Sequence, residues 1–165
     1  MGYELSNRGQ IKIKMANYSL TPVGFNFPKN YDFTSRQDTY DRNGWTQNNL
    51  ISTPETGSTW NFTTASMGTP SLSSPSISVN AKRFPKVILK MKAINGLTPN
   101  SKIVLSWNGT SGTGSQAIPI TSINTEEYLF EMTTNANWSG KITNLRFDFV
   151  GMNQANLAFE GLQFD

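Results

Sequence analysis

The stretch Trp138–Phe149, with the sequence WSGKITNLRFDF, carries the clearest structural signal in the chain. After a Ser-Gly turn, polar and bulky apolar side chains alternate in the order Asn144, Leu145, Arg146, Phe147, Asp148 and Phe149. In an extended chain this period of two places the apolar residues on one side and the polar residues on the other. The stretch therefore predicts a β-strand with one face in a core and the other in solvent.

The composition of the 165-residue chain favours a single all-β domain. Charged residues make up only 15% of the chain and aromatic residues 12%, and turn-forming residues such as the 13 glycines are frequent. No apolar stretch with a helical period is longer than about two turns. Instead, roughly ten to twelve short strand patterns follow one another at the spacing that is typical of a β-sandwich.

The chain contains no cysteine and no histidine, which excludes several classes of enzyme and metal site. Disulfides, Ser-His or Cys-His nucleophiles and zinc sites built on these residues are all excluded. Catalysis by paired carboxylates is not indicated either, because the neighbours Glu126 and Glu127 would point to opposite faces of a strand. We therefore predict a protein that is not an enzyme.

The charge pattern predicts neither a nucleic-acid interface nor a membrane-spanning segment. The net charge is only +3, and the densest basic group lies in Lys82–Lys92. Lys86, Lys90 and Lys92 would share one solvent-exposed face of a strand, which favours an ordinary solvated surface over a phosphate-binding patch. No window of the sequence approaches the 18 or so apolar residues that a membrane-spanning helix needs.

The Trp138–Phe149 stretch also resembles a known signature. Its tryptophan, its glycine, the Ile-Thr pair and the run Leu-Arg-Phe-Asp resemble the penultimate strand of bacterial carbohydrate-binding-module-like jelly rolls, in the broad galactose-binding-like group. A final strand follows in that group, and Leu157–Phe164 takes its place here. The resemblance implies a jelly-roll β-sandwich of two antiparallel sheets over residues 30–165. It leaves the function open, because this fold serves glycan binders and virion proteins alike.

Residues 1–29 differ from the rest and predict an N-terminal arm ahead of the sandwich. Isoleucines alternate with lysines over one short strand, and prolines and glycines then interrupt regular structure. Two placements of the arm are open, an extra edge strand on its own sandwich or a docking element on a neighbouring subunit. The candidate docking residues are Tyr3, Ile11, Ile13, Phe25 and Phe27.

A glycan site would combine aromatic rings that stack on sugar faces with polar groups that bind the hydroxyls. The candidates for such a site are Trp60, Trp107 and Asn108, the last two beside the polar, glycine-rich stretch NGTSGTG. Structural packing is the alternative for both rings. Trp45 and Trp138 stand where the resembled family has packing tryptophans, so we expect them in the core.

We predict no cofactor, but the resemblance makes a structural calcium ion the alternative. In related jelly rolls an ion often lies between the first and the last strand, and calcium takes six to eight oxygen ligands. Carboxylates near those places belong to Asp32, Asp38, Asp41, Glu160 and Asp165, of which Asp32, Asp41 and Asp165 are the candidate ligands. No DxDxDG loop is present, so simple solvation of each carboxylate is the other interpretation.

Two functions of different classes fit these observations. The first is a non-enzymatic structural or adhesive virion protein of a bacteriophage, a capsid decoration or tail accessory subunit whose partners are other virion subunits or further copies of itself. The natural-looking Met1, the lack of a secretion signal and the aromatic residues of the arm motivate it. The alternative is a carbohydrate-binding module of a secreted, extracellular protein, which binds surface glycans through exposed aromatic residues.

Overall fold

The fold is built from short and medium-length β-strands. The computed structural model of the protein describes residues 4–5, 11–12, 30–33, 42, 44–53, 59–123 and 125–165. Within these ranges the strands are β1 (Glu4–Leu5), β2 (Ile11–Lys12), β3 (Tyr31–Asp32), β4 (Thr46–Asn48), β5 (Leu50–Ser52), β6 (Trp60–Thr64), β7 (Ser71–Ser73), β8 (Val79–Asn80), β9 (Lys86–Ala93), β10 (Leu97–Gly109), β11 (Gly112–Pro119), β12 (Glu127–Glu131), β13 (Lys141–Met152) and β14 (Asn156–Phe164).

Two antiparallel six-stranded sheets pack face to face. The β10 sheet has the order β11-β10-β13-β7-β4, with β8 also paired to β13. The β9 sheet has the order β12-β9-β14-β6-β5, with β3 also paired to β14. Consecutive strands cross repeatedly from one sheet to the other, as they do in a jelly roll. The predicted all-β jelly-roll sandwich of two antiparallel sheets is thus confirmed.

Most of the Trp138–Phe149 stretch, from Lys141 onward, belongs to β13, the central strand of the β10 sheet. Its apolar residues Leu145, Phe147 and Phe149 are at most 1% exposed. They pair in register with Trp107, Leu105 and Ile103 of β10, which are also buried. The polar residues between them point to the opposite side of the sheet. The predicted alternation is therefore the actual division between core and surface.

Phenylalanine rings from the two sheets meet in the centre of the sandwich. Phe149 contacts Phe159 with ring centroids 5.4 Å apart, and Phe62 contacts the same ring at 5.5 Å. Phe130 and Phe147 lie 6.2 Å apart. All five rings are fully buried, and burial of each contributes about 1.5–3 kcal/mol relative to leaving it exposed. The contacts of Phe149 with Phe159 and of Phe130 with Phe147 join the β10 sheet to the β9 sheet.

Two local irregularities lie at a proline and a glycine, which are residues that interrupt regular strand pairing. Pro75 lies between β7 and β8, which both pair with β13 but are separated by residues 74–78. The backbone N–H groups of Ser74 and Ile77 still donate to carbonyls of β13, so the interruption stays on the sheet. In β14 the register with β9 shifts between Phe159 and Gly161, which forms a β-bulge.

The glycine-rich stretch NGTSGTG is a hairpin and not the seven-residue loop that its composition predicts. β10 continues to Gly109 and β11 begins at Gly112, so only Thr110 and Ser111 form the turn. The pairing between the two strands holds from Lys102 to the turn without a break. Cross-strand hydrogen bonds and the packing of the sheet therefore override the turn propensity of the glycines.

The predicted arm lies mostly outside the described residues. β1 and β2 form a separate two-stranded hairpin in which Leu5 pairs with Ile11. The other docking candidates, Tyr3, Ile13, Phe25 and Phe27, lie outside the described residues. β3, which follows the arm, pairs with β14 in the β9 sheet. None of the helical structure in the described ranges is long and apolar enough to cross a membrane.

Candidate functional site

The outward side of the β10 sheet presents a strip of small polar and charged side chains, which we call the polar face. Its members share three adjacent strands and are Ser73, Ser106, Asn108, Asn144, Arg146 and Asp148. The register of β7, β13 and β10 places Arg146 between Ser73 and Ser106. Two residues farther along the same strands, Asn144 pairs with Asn108. Pairing thus brings together residues that are far apart in the sequence.

An ion pair occupies the middle of the polar face. Nε of Arg146 donates to Oδ1 of Asp148 at 2.8 Å, and the two side chains share a face because they are two positions apart. The side chain of Arg146 is 49% exposed and that of Asp148 21%. This contact uses one of the five N–H donors of the guanidinium. The pair therefore offers both donors and acceptors to a ligand at one place.

An open cleft runs beside Arg146 between β7 and β10. It encloses about 440 Å³, which lies within the range of roughly 300–1,000 Å³ typical of small-molecule sites. Its walls include the side chains of Ser73, Ser106, Asn108 and Asn144. A second hollow beyond Asn108 is lined by further hydroxyl and amide groups of β11 and the residues before β13. Hydrogen bonding is therefore the main chemistry that this surface offers.

The indole ring of Trp107 lies in the core, although the residue also contributes to the lining of both hollows. Its side chain is 2% exposed and packs edge-to-face on Trp138, with centroids 5.2 Å apart. Its indole N–H donates to the backbone oxygen of Asn137 at 3.0 Å. Asn108, the next residue, points to the polar face instead. The two candidate ligands are thus adjacent in the chain but lie on opposite sides of the sheet, and Trp107 presents no ring face for stacking.

Trp60 also packs against the core, in the other sheet. It contacts Phe62 at 4.7 Å and Phe33 at 5.4 Å between ring centroids. The guanidinium of Arg42 lies 5.7 Å from its ring centre. Trp60 on the β9 sheet and Asn108 on the outside of the β10 sheet therefore do not form one site. Trp45 and Trp138 are both less than 10% exposed, in agreement with their predicted packing role.

The candidate calcium ligands are not brought together in the described part of the chain. Asp32 pairs with Gly161, and Asp165 follows the end of β14 four residues beyond Gly161, roughly 13 Å away along the chain. Asp41 lies outside the described residues. Within the described ranges no group of three or more metal-ligating side chains is close enough to hold an ion. A calcium site stays a prediction of the resemblance.

The outward side of the β9 sheet has a different character. Lys86, Lys90 and Lys92 of β9 share this face, as predicted from their spacing. Glutamates of β12 and the residue before it lie 3.2 to 3.7 Å from the three lysine nitrogens. Exposed charges that are paired with each other contribute little stability, and they do not indicate a ligand site. The polar face of the β10 sheet is the stronger candidate for a ligand site.

Sequence reasoning did not single out Ser73, Ser106, Asn144, Arg146 or Asp148 as site residues. The alternation in Trp138–Phe149 did indicate that the polar residues of β13 point outward. The alternation did not indicate which residues of the adjacent strands lie beside them. Those depend on the register with β7 and β10, which no local pattern in the chain specifies.

The fold is similar to solved structures, although no protein-family model and no curated protein matches the sequence. Three variants of CBM29-2, studied to probe the mechanism of ligand recognition by family 29 carbohydrate-binding modules, share it. The variant with an aspartate replaced by alanine has a TM-score of 0.53 and 11% identity, over 84% of this chain and 85% of the other.

The two further variants give nearly the same likeness. The lysine variant has a TM-score of 0.52 and 12% identity over 82% of this chain and 88% of the other. The tyrosine variant has a TM-score of 0.50 and 10% identity over 84% and 90%. Identities this low show a common fold alone. The chain therefore has a jelly-roll fold like that of carbohydrate-binding modules.

Proposed function

We propose that the protein is a carbohydrate-binding module that holds a glycan on its polar face. The observation that carries the proposal is the Arg146–Asp148 pair, which lies beside an open cleft and is flanked by serine and asparagine side chains. Sugar hydroxyls both donate and accept hydrogen bonds, and neighbouring hydroxyls suit a guanidinium that donates beside a carboxylate that accepts. The fold shared with carbohydrate-binding modules supports the same function.

Binding rests on hydrogen bonds and not on the stacking predicted for Trp60 and Trp107. Both rings pack against the core, and no tryptophan, tyrosine or phenylalanine in the described ranges is an exposed residue.

The proposed function does not include catalysis. A glycosidase of the usual kind needs two carboxyl groups that flank the scissile bond, about 5 to 9.5 Å apart. Within the described residues Asp148 is the one carboxylate of the polar face, and its oxygen already accepts a hydrogen bond from Arg146. A site with these groups supports binding of a polysaccharide without cleavage.

The test is affinity electrophoresis against a panel of soluble plant and microbial polysaccharides, followed by calorimetric titration with those that retard the protein. Arg146→Ala should weaken binding roughly 10- to 100-fold, since a hydrogen bond to a charged group is worth about 1.5–3 kcal/mol. Lys90→Ala is the control, because it removes an ion-paired cation from the outward side of the other sheet. Its affinity should equal that of the wild type.

Two results would contradict the proposal at different levels. If no polysaccharide of the panel retards the wild-type protein, carbohydrate binding is wrong. If a polysaccharide binds but Arg146→Ala and Lys90→Ala both retain full affinity, the protein binds glycans through another surface. In that case the polar face is wrong while the class of ligand stands.

The role in a bacteriophage particle stays a prediction of the sequence. It depends on residues 1–29, most of which lie outside the described ranges, and no compared structure bears on it. The same applies to a location in the virion or outside a cell, and to virion subunits or further copies of the chain as partners. The glycan proposal is compatible with either location.

A further inference from the structure

The structure divides the densest basic stretch of the sequence between two surfaces. Lys86, Lys90 and Lys92 belong to β9 and lie beside glutamates on the β9 sheet. Lys82 and Arg83 belong to the turn that follows β8. Pairing of β8 with β13 adds Lys141 to these two residues, although it is distant in the sequence. A separate group of three cations therefore forms at one end of the β10 sheet.

This group lies on the same side of the sheet as the polar face. Asn80 pairs with Lys141, and their neighbours Val79 and Ile142 are buried. Because side chains alternate along a strand, Asn80 and Lys141 point outward. The hollow that they share, which we call the basic end, is lined by Ser78, Asn80, Lys82, Arg83, Gly140 and Lys141.

Backbone hydrogen bonds hold the turn that carries two of the cations. The side-chain oxygen of Asn80 accepts from the backbone N–H groups of Lys82 at 3.1 Å and Arg83 at 3.3 Å. The carbonyl of Asn80 also accepts from Arg83 and Phe84. Such an asparagine-capped turn is a stable local structure. Lys82 and Arg83 are thus presented from a fixed backbone, which lowers the entropy cost of binding.

The electrostatics of the basic end favour an anion. Its described lining contains three cations and no carboxylate. The nearest outward carboxylate along β13 is that of Asp148, which pairs with Arg146. Lys82 and Lys141 are both exposed, so their ammonium groups can reach a ligand in solvent. Clustered charge of one sign raises the local concentration of oppositely charged ligands.

We infer that the basic end binds a carboxylate or sulfate group of the glycan, so that the ligand class is acidic polysaccharide. This inference rests on the proposed carbohydrate function and specifies its ligand. Arg146 and Lys141 are five residues apart, and the register shift between Ile142 and Asn144 leaves both on the outward side of β13. They are roughly 17 Å apart along the strand. One extended chain of several sugars can therefore contact both, with hydroxyls at the polar face and an acidic group at the basic end.

An acidic polysaccharide fits this surface better than a nucleic acid. A nucleic acid presents a phosphate at every nucleotide, and tight binding to it requires a row of cations along the whole contact. Beyond the basic end the strip contains amides, hydroxyls and a neutralised Arg146–Asp148 pair. Cations at one end and neutral polar groups along the rest match a sugar chain with occasional acidic groups.

The experiment compares two double variants that remove the same charge. Lys82→Gln with Lys141→Gln alters the basic end, and Lys86→Gln with Lys90→Gln removes two cations from the other sheet. The probes are polygalacturonate for carboxylates, heparin for sulfates, glucomannan as a neutral polymer, and a short DNA duplex. Affinities are measured by calorimetry at low and at high salt, together with Arg146→Ala.

We expect polygalacturonate or heparin to bind the wild-type protein at least about tenfold more tightly than glucomannan at low salt. The Lys82/Lys141 variant should lose that advantage, while the Lys86/Lys90 variant should retain it. High salt should reduce the advantage as well, because exposed charges are screened. Whether polygalacturonate or heparin shows the effect decides between a carboxylate and a sulfate group.

Other outcomes overturn the inference in distinguishable ways. If glucomannan binds as tightly as both acidic polymers, or if the two double variants behave alike, the basic end is not the anion site. A loss of binding in Arg146→Ala would then still support the proposed function. If none of the three polysaccharides binds, the inference fails, and the proposed function fails with it only if no polysaccharide of the wider panel retards the protein either. If DNA binds more tightly than every polysaccharide, and only the Lys82/Lys141 variant abolishes it, the partner is a nucleic acid.

Discussion

A single methyl group added at Gly114 tests whether Trp107 is a core residue. Gly114 of β11 pairs with Trp107 of β10, and it faces the ring across the sheet. A Cβ atom at Gly114 would collide with Cζ2 of the indole and would lie 2.7 Å from its Cε2. It would also lie 2.9 Å from Cβ of Asn137. Each of these separations is far below an ordinary carbon–carbon contact of about 3.5–4.0 Å.

The ring has little room to retreat from such a methyl group. Trp138 packs on it at 5.2 Å, and its N–H is bonded to the oxygen of Asn137. Overpacking of a dense core costs about 1–3 kcal/mol. Gly114→Ala should therefore lower the free energy of unfolding by about 2 kcal/mol. Urea unfolding followed by circular dichroism measures this change as a shift of the midpoint.

Two further variants make the result specific. Thr113→Ala, on the exposed side of the same strand, should change the free energy of unfolding by less than about 0.5 kcal/mol. In a Trp107→Phe background the ring is smaller, so Gly114→Ala should cost less than it does alone. If Gly114→Ala is as stable as Thr113→Ala, Trp107 is not held in the core beneath Gly114. Stacking of its ring on a ligand would then be open again.

Two other changes test the turn before β10 and the buried end of β12. Gly96 has a φ of +73°, and an added Cβ would lie 2.6 Å from Cα of Ala155, so Gly96→Ala should cost about 1–3 kcal/mol in a urea titration. A loss of no more than about 1 kcal/mol, which the positive φ alone accounts for, would refute the contact. Burial raises the pKa of the Tyr128 phenol, so stability should fall as the pH rises through that pKa, above the ordinary value of about 10. Tyr128→Phe should show a smaller alkaline loss, and an identical pH profile would contradict this.

Lysines that are close together in the sequence lie on different surfaces of this protein. Lys82 and Lys86 are four residues apart, yet the first lies at the basic end of the β10 sheet and the second beside Glu131 on the β9 sheet. The chain crosses between the sheets at this point. A basic run that looks continuous in the sequence is thus two surfaces with different partners.

Local patterns in the sequence determined most of the strands and their buried sides. The alternation in β13 and in β9 follows from the geometry of an extended chain, in which each side chain points opposite to its neighbours. The interruption at Pro75 and the bulge at Gly161 are likewise properties of single residues. Such features depend only on residues that are close together in the chain, so they can be predicted from the sequence.

Only the tertiary structure decided which outward residues form a site. Trp107 and Asn108 are neighbours in the chain but lie on opposite sides of the β10 sheet, whereas Arg146 lies between Ser73 and Ser106. Register between strands is set by the sandwich as a whole, because a slip of one residue would turn a strand's buried side chains to solvent. The polar face and the meeting of Lys82 with Lys141 follow from that long-range pairing, which no stretch of the sequence encodes by itself.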